Sequence, residues 1–125
     1  MNTLLQRASA QVEDIIAIRR DIHAHPELGF EEARTSELVA GKLREWGIEV
    51  VTGIGKLGVV GTIHGSLPGT KAIGLRADMD ALALTETNAL SHASLHPGKM
   101  HACGHDGHTA MLLGCLLYTS DAADE

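Results

Sequence analysis

The chain has 125 residues, 44% of them hydrophobic and 21% charged, with 10 Lys+Arg against 16 Asp+Glu and a net charge of -6. That is the size and balance of one soluble globular domain and excludes a disordered chain. An acidic chain without a basic stripe argues against a nucleic-acid partner, and no apolar run nears the roughly 20 residues a membrane helix needs.

Met1 to Gln11 lacks the basic flank and apolar stretch of a signal peptide, so a cytoplasmic location is expected. Leu4, Leu5, Ala8, Val12, Ile15, Ile16 and Ile22 recur at helical spacing, which predicts an amphipathic helix over about 3–23. His25-Pro-Glu-Leu-Gly29 breaks it. A second helix is predicted over about 31–46, with Glu31 and Glu32 in its first turn. Its buried stripe is Leu38, Val39, Leu43 and Trp46, and Gly47 closes it.

The pattern then changes to strands at 48–52, 58–64 and 72–77, with a turn at 65–69. Their near-continuous apolar character predicts a sheet covered on both faces. Residues 85–100 show no period and read as a loop, and an apolar, helix-compatible run opens at Thr109. The order ααβββ, loop, helix places the chain in the α/β class. Phe30, Trp46 and Tyr118 are its only aromatic residues besides histidine, so the core must be aliphatic.

Cys115 to Glu125 differs in character from what precedes it. These eleven residues are similar to one reading frame of a transposase adapter used in sequencing libraries. The expectation is that residues 115–125 are not native, that Cys103 is the native thiol, and that the chain is a fragment. Two cysteines would in any case be too few for a disulfide scaffold.

Five of the eight histidines fall between positions 92 and 108. The densest constellation is Met100-His-Ala-Cys-Gly-His-Asp-Gly-His108. In an extended segment Cys103 and His105 would point to one side, about 6.6 Å apart at Cα, suited to one metal or to a bridged pair. A thiolate with an imidazole suits zinc, cobalt or a similar divalent ion. Asp106 is placed to orient a ligand or to start the following helix. Gly104 and Gly107 would let the backbone turn tightly. By spacing alone, a His-rich surface loop with a buried thiol remains open.

Arg76-Ala-Asp-Met-Asp80 ends the third predicted strand, with Asp78 and Asp80 on one side, where open α/β sheets build sites. An ion pair of one carboxylate with Arg76 is the simpler reading. His23-Ala-His25-Pro-Glu27 reads as a structural helix end and His64 as a strand-end residue. His92 and His96, without a nearby acidic or thiol partner, read as solvated.

Together these strings resemble the hippurate-hydrolase and aminoacylase family of two-metal amidohydrolases, in the branch with bacterial hippurate hydrolases and plant auxin-conjugate hydrolases. Arg19-Arg-Asp-Ile-His-Ala-His-Pro-Glu-Leu-Gly-Phe-Glu-Glu32, Gly74-Leu-Arg-Ala-Asp-Met-Asp-Ala-Leu82 and the stretch from His96 to Gly114 carry the likeness, which runs over residues 12–114. Ala83 stands where the family usually has proline.

The resemblance implies that residues 1–114 are the N-terminal part of a zinc-peptidase-like, three-layer α/β/α catalytic domain, truncated. It implies metal ligation by Cys103 and His105, with support from Asp78, Asp80 and Asp106. Two divalent ions (zinc, manganese or cobalt) would lower the pKa of a shared water and polarise the scissile carbonyl of an N-acyl amino acid. No catalytic residue is expected within the chain, because the general-base glutamate, further metal ligands and the dimerisation domain of a homo-oligomeric parent lie beyond Gly114. The fragment itself is expected to be inactive and to fold poorly. Two rivals are a structural metal module completed by neighbouring histidines or Cys115, and a nucleophilic Cys103 with His105 as base.

Overall fold

A computed structural model describes residues 3–123; Met1, Asn2, Asp124 and Glu125 lie outside the described residues. The elements are α1 (Thr3–Ala24), α2 (Ala33–Glu45), β1 (Glu49–Ile54), β2 (Gly58–Thr62) and α3 (His105–Ala123). No helix among the described residues is long and apolar enough to cross a membrane.

The core is aliphatic, as the scarcity of aromatic residues requires. Ile18 and Ile22 of α1, Val39 and Leu43 of α2, Ile48, and Ala110 and Leu113 of α3 form one buried cluster, with Trp46 and Met79 packed against it. Only the C-terminal half of α1 enters this core. Leu5 and Val12, part of the predicted stripe, are exposed, and the Leu4 side chain lies outside the described ones. Val12 and Ile15 line an apolar groove with Met111, Gly114 and Tyr118 of α3.

α2 starts two residues later than its composition suggests, and Glu31 and Glu32 precede it rather than forming its first turn. The reason is a cap from outside the helix. Glu27 accepts from the Arg34 N–H (2.9 Å) and from both the N–H and the hydroxyl of Thr35 (2.7 Å each). This carboxylate satisfies donors that a helix start leaves open and sits favourably at the positive end of the dipole. The helix ends as expected, at a left-handed Gly47 (φ 73°) whose N–H reaches Arg44 O.

β1 and β2 form an antiparallel hairpin, with Glu49 opposite Thr62 and Ile54 opposite Gly58, irregular between Thr52 and Ile54. One face packs on α2 through Val50 and Val59; Val51, Ile54 and Val60 are exposed. The expected coverage of both faces is therefore not found among the described residues. Nor is the third strand. Residues 72–77 pair with nothing described, and Ile73 and Leu75 are 90% and 62% exposed. Apolar composition favours a strand only where a neighbour completes its ladder.

The chain is gathered again at Ala81, whose N–H donates to Glu27 O (2.7 Å), and by a reciprocal pair of backbone bonds between Leu82 and Met100. The loop between them is irregular, as its sequence implies. Two turns with left-handed non-glycine residues, Phe30 and Lys56, are tied together by a bond from Lys56 Nζ to Phe30 O (2.8 Å).

Two substitutions test these assignments by denaturant unfolding. Removing the external cap with Glu27→Ala should cost about 1–2 kcal/mol, and Leu43→Ala about 2–5 kcal/mol. An unchanged midpoint in Glu27→Ala would show that the cap does not define α2.

Candidate metal centre

The candidate site lies where the 76–82 segment meets the start of α3. His105 is the first residue of α3, and the chain enters it through Gly104 at φ 88°, a conformation that glycine adopts without a Cβ penalty. Cys103 and His105 are thus separated by a turn and do not lie on an extended segment. The ligand-rich sequence contains a helix start, and the turn replaces the alternation assumed for it. Gly107 lies within the first turn of α3 and has no special φ.

Asp80 holds His105. His105 Nδ1 donates to Asp80 Oδ1 (2.8 Å) and lies 3.0 Å from Asp80 O. A carboxylate on Nδ1 fixes the tautomer and leaves the Nε2 lone pair for a metal. Cys103, two residues earlier in the chain, is a free, exposed thiol. The chemistry of this donor pair fits a borderline-soft divalent ion, but the described residues contain no cluster of three or more His, Cys, Asp or Glu side chains able to hold one. The chain offers two donors and one orienting carboxylate.

Asp78 turns away from this pair. Its carboxylate is ion-paired with Arg76, the simpler of the two sequence readings, while its carbonyl accepts from Thr109 Oγ1 (2.9 Å) and so steadies α3. Asp106 does not contact the His105 ring either. It is buried and accepts from His23 Nδ1 (2.8 Å) and Arg19 Nε (2.9 Å).

His23 is structural, as its place in a helix-ending motif suggested, yet it stands at the centre of a buried polar network. Its second nitrogen, Nε2, donates to Glu86 Oε1 (3.0 Å), and the Glu86 side chain is only 3% exposed. Glu86 also accepts from the Ser94 N–H and from Asn88. His92 packs edge-on against His23 with ring centroids 5.5 Å apart, and its Nδ1 is buried. It is not solvated, because the 85–100 loop folds it inward. His101, also buried, has its ring 6.4 Å from that of His23.

Sequence reasoning missed Glu86. It lies in an aperiodic loop, 63 residues from His23, and nothing local marks it.

Residues 74–125 match the family model described as Peptidase family M20/M25/M40. The chain is 56% identical over 106 residues to thermostable carboxypeptidase 1 of Saccharolobus solfataricus, covering 83% of this chain and 27% of that protein. It is 56% identical over 101 residues to the hippurate hydrolase of Campylobacter jejuni, covering 81% and 26%. A crystal structure of the YXEP protein of Bacillus subtilis, a dinuclear metal binding peptidase from the M20 family, superposes with a TM-score of 0.87 at 40% identity. It covers 92% of this chain and 32% of that one. The chain belongs to the M20 family. It spans about a quarter of the length of these curated relatives, and its α/β architecture is the corresponding part of the M20 fold.

Two carboxylates of this M20 chain, Glu86 and Asp106, are withdrawn from solvent. Burial pushes the Glu86 carboxyl up, but the bonds from His23, Ser94 and Asn88 outweigh it and lower its pKa from 4.5 to about 2. Asp106 is also lowered: burial opposes, while His23, the Gly107 N–H and the Arg19 charge prevail. Burial lowers His101, and burial with the nearby Arg20 and Arg19 charges lowers His92.

A carboxylate with a depressed folded pKa contributes stability that is fully present above its unfolded value and lost as pH falls toward the folded one. Thermal melts followed by circular dichroism should therefore begin to fall below about pH 6.5, where the lowered His92 and His101 cost stability, and show a further decline between about 4.5 and 2 as Glu86 takes up its proton. Glu86→Gln should flatten that decline; an unchanged slope would show that Glu86 is not ionised in the fold.

Proposed function

We propose that this chain is the N-terminal part of a metal-dependent amidohydrolase that releases an amino acid from an N-acyl amino acid, and that Cys103 and His105 are two of its metal ligands. The observation that carries the reading is the Asp80–His105 hydrogen bond, which holds an imidazole with one nitrogen committed and the other available. A peptide C-terminus and hippurate, substrates suggested by the names of two relatives, share an amide whose leaving group is an amino acid. A small molecule with that bond is the substrate class proposed.

Two divalent ions, in line with the dinuclear neighbour, would when bound supply Lewis acidity and a more acidic water. The chain's own contribution is positional. Cys103 would bind as thiolate, favoured beside a cation. Asp80 keeps the proton of His105 on Nδ1, and Asp106 anchors the first turn of α3. The general base and remaining ligands are assigned to residues outside this chain. A closed structural metal site needs four protein donors, and the described residues bring no three together, which weighs against the metal-module reading.

The proposal includes a cytoplasmic location and treats residues 115–125 as adapter-derived; sequencing the parent DNA through codon 114 tests the second point. In the whole protein, hydrolysis of hippurate and N-acetyl amino acids should be abolished by a chelator and restored by zinc, manganese or cobalt. Cys103→Ser should lower kcat/KM by about 10-fold to 100-fold or more. The isolated chain should release no amino acid. Chelator-resistant turnover, or full activity in Cys103→Ser, would overturn the assignment.

A further inference from the structure

We propose that His23 is a positioning residue for the metal-ligating turn, gripping Asp106 so that the adjacent His105 and Cys103 are held in place. The proposal rests on the reading of Cys103 and His105 as ligands, and extends the site to the end of α1, which contributes no donor of its own.

The geometry of the ring carries the argument. His23 is buried, with Nδ1 2.8 Å from Asp106 Oδ2 and Nε2 3.0 Å from Glu86 Oε1. Each ring nitrogen faces a carboxylate oxygen within hydrogen-bond distance, so both edges of the ring are engaged. Two anchored nitrogens leave the imidazole no free rotation. One grips the first turn of α3; the other grips a loop that is itself bound to α1 through Leu95 N–H and Ala24 O (2.9 Å).

The ligand turn is therefore held from two directions. Asp80 holds the ring of His105, while His23 and Arg19 hold the next residue, Asp106, by its carboxylate. Asp106 is 1% exposed, so water cannot replace a lost donor without rearrangement of the turn. A group that only filled space at this position would affect stability and leave the ligand geometry to Asp80.

Asparagine and glutamine separate the two grips. The amide nitrogen of Asn stands near the position of Nδ1 and that of Gln near Nε2. His23→Asn thus keeps a donor toward Asp106, and His23→Gln keeps one toward Glu86. The whole protein is titrated with Co2+, following the thiolate-to-cobalt charge-transfer band in the near ultraviolet, with circular dichroism to register folding. In the wild type the band should appear, and Cys103→Ser should abolish it. His23→Gln should weaken Co2+ binding by about 10-fold to 100-fold, and His23→Asn should weaken it less, although both lower the melting temperature.

Equal weakening in the two variants, or none in His23→Gln, would overturn the proposal while leaving Cys103 as a ligand. A wild-type whole protein without the band, or a band that survives Cys103→Ser, would overturn the ligand reading and this inference with it. Should His23→Gln not fold, Asp106→Asn removes the ionised acceptor and keeps its shape. It should weaken binding by about 10-fold or more, and unchanged binding would be equally decisive against the proposal.

Discussion

Two carboxylates, Asp106 and Glu86, lie on opposite edges of one buried imidazole, and the arrangement of α1, α3 and the long loop follows from that contact. An ionised carboxylate withdrawn from water needs donors. Glu86 has His23, Ser94 and Asn88; Asp106 has His23 and Arg19, both on Oδ2, while its buried Oδ1 has no partner among the described residues. Taking one partner from such a buried set costs about 3–5 kcal/mol. The network therefore restricts the chain to conformations that bring these segments together, and the candidate metal centre sits on their junction. His92 and His101 pack around His23 without sharing its role, since burial disfavours charge on both.

Much of this was legible in the sequence, and the failures have a common cause. Periodicity placed α1 and α2 closely, and Gly47 marked the end of α2 because a left-handed position there has few other occupants. The string from Met100 to His108 holds the donor pair of the candidate site. What the sequence concealed were contacts between distant residues. Glu27 caps α2 from outside, so the acidic pair Glu31–Glu32 misled. Glu86 has no local signature at all. The segment 72–77 has strand composition without a partner in the described structure, and composition does not report partners. The alternation assumed for Cys103 and His105 failed because a helix begins at the second of them.

The site is a division of labour among segments. The 76–82 segment supplies the orienting Asp80, the turn before α3 supplies the donors, and the end of α1 supplies His23. None of the three is a site alone. This explains why the family likeness is carried by three separate strings: each holds one part of the same junction. It also explains why Asp78, only two residues from Asp80, behaves differently. Its carboxylate is engaged by Arg76, and its backbone carbonyl is the part that meets α3.

The bond between His23 and Asp106 joins residues 83 positions apart, and that between His23 and Glu86 spans 63. The hairpin, in contrast, pairs residues 4 to 13 positions apart. Closing a long loop must be offset by contacts that exist only once it is closed, so distant pairings form late on the way to the native state. α2 and the hairpin can assemble as soon as they are synthesised. The turn proposed to ligate metal must wait until α3 has returned to the end of α1, which makes that corner of the fold its last to be built.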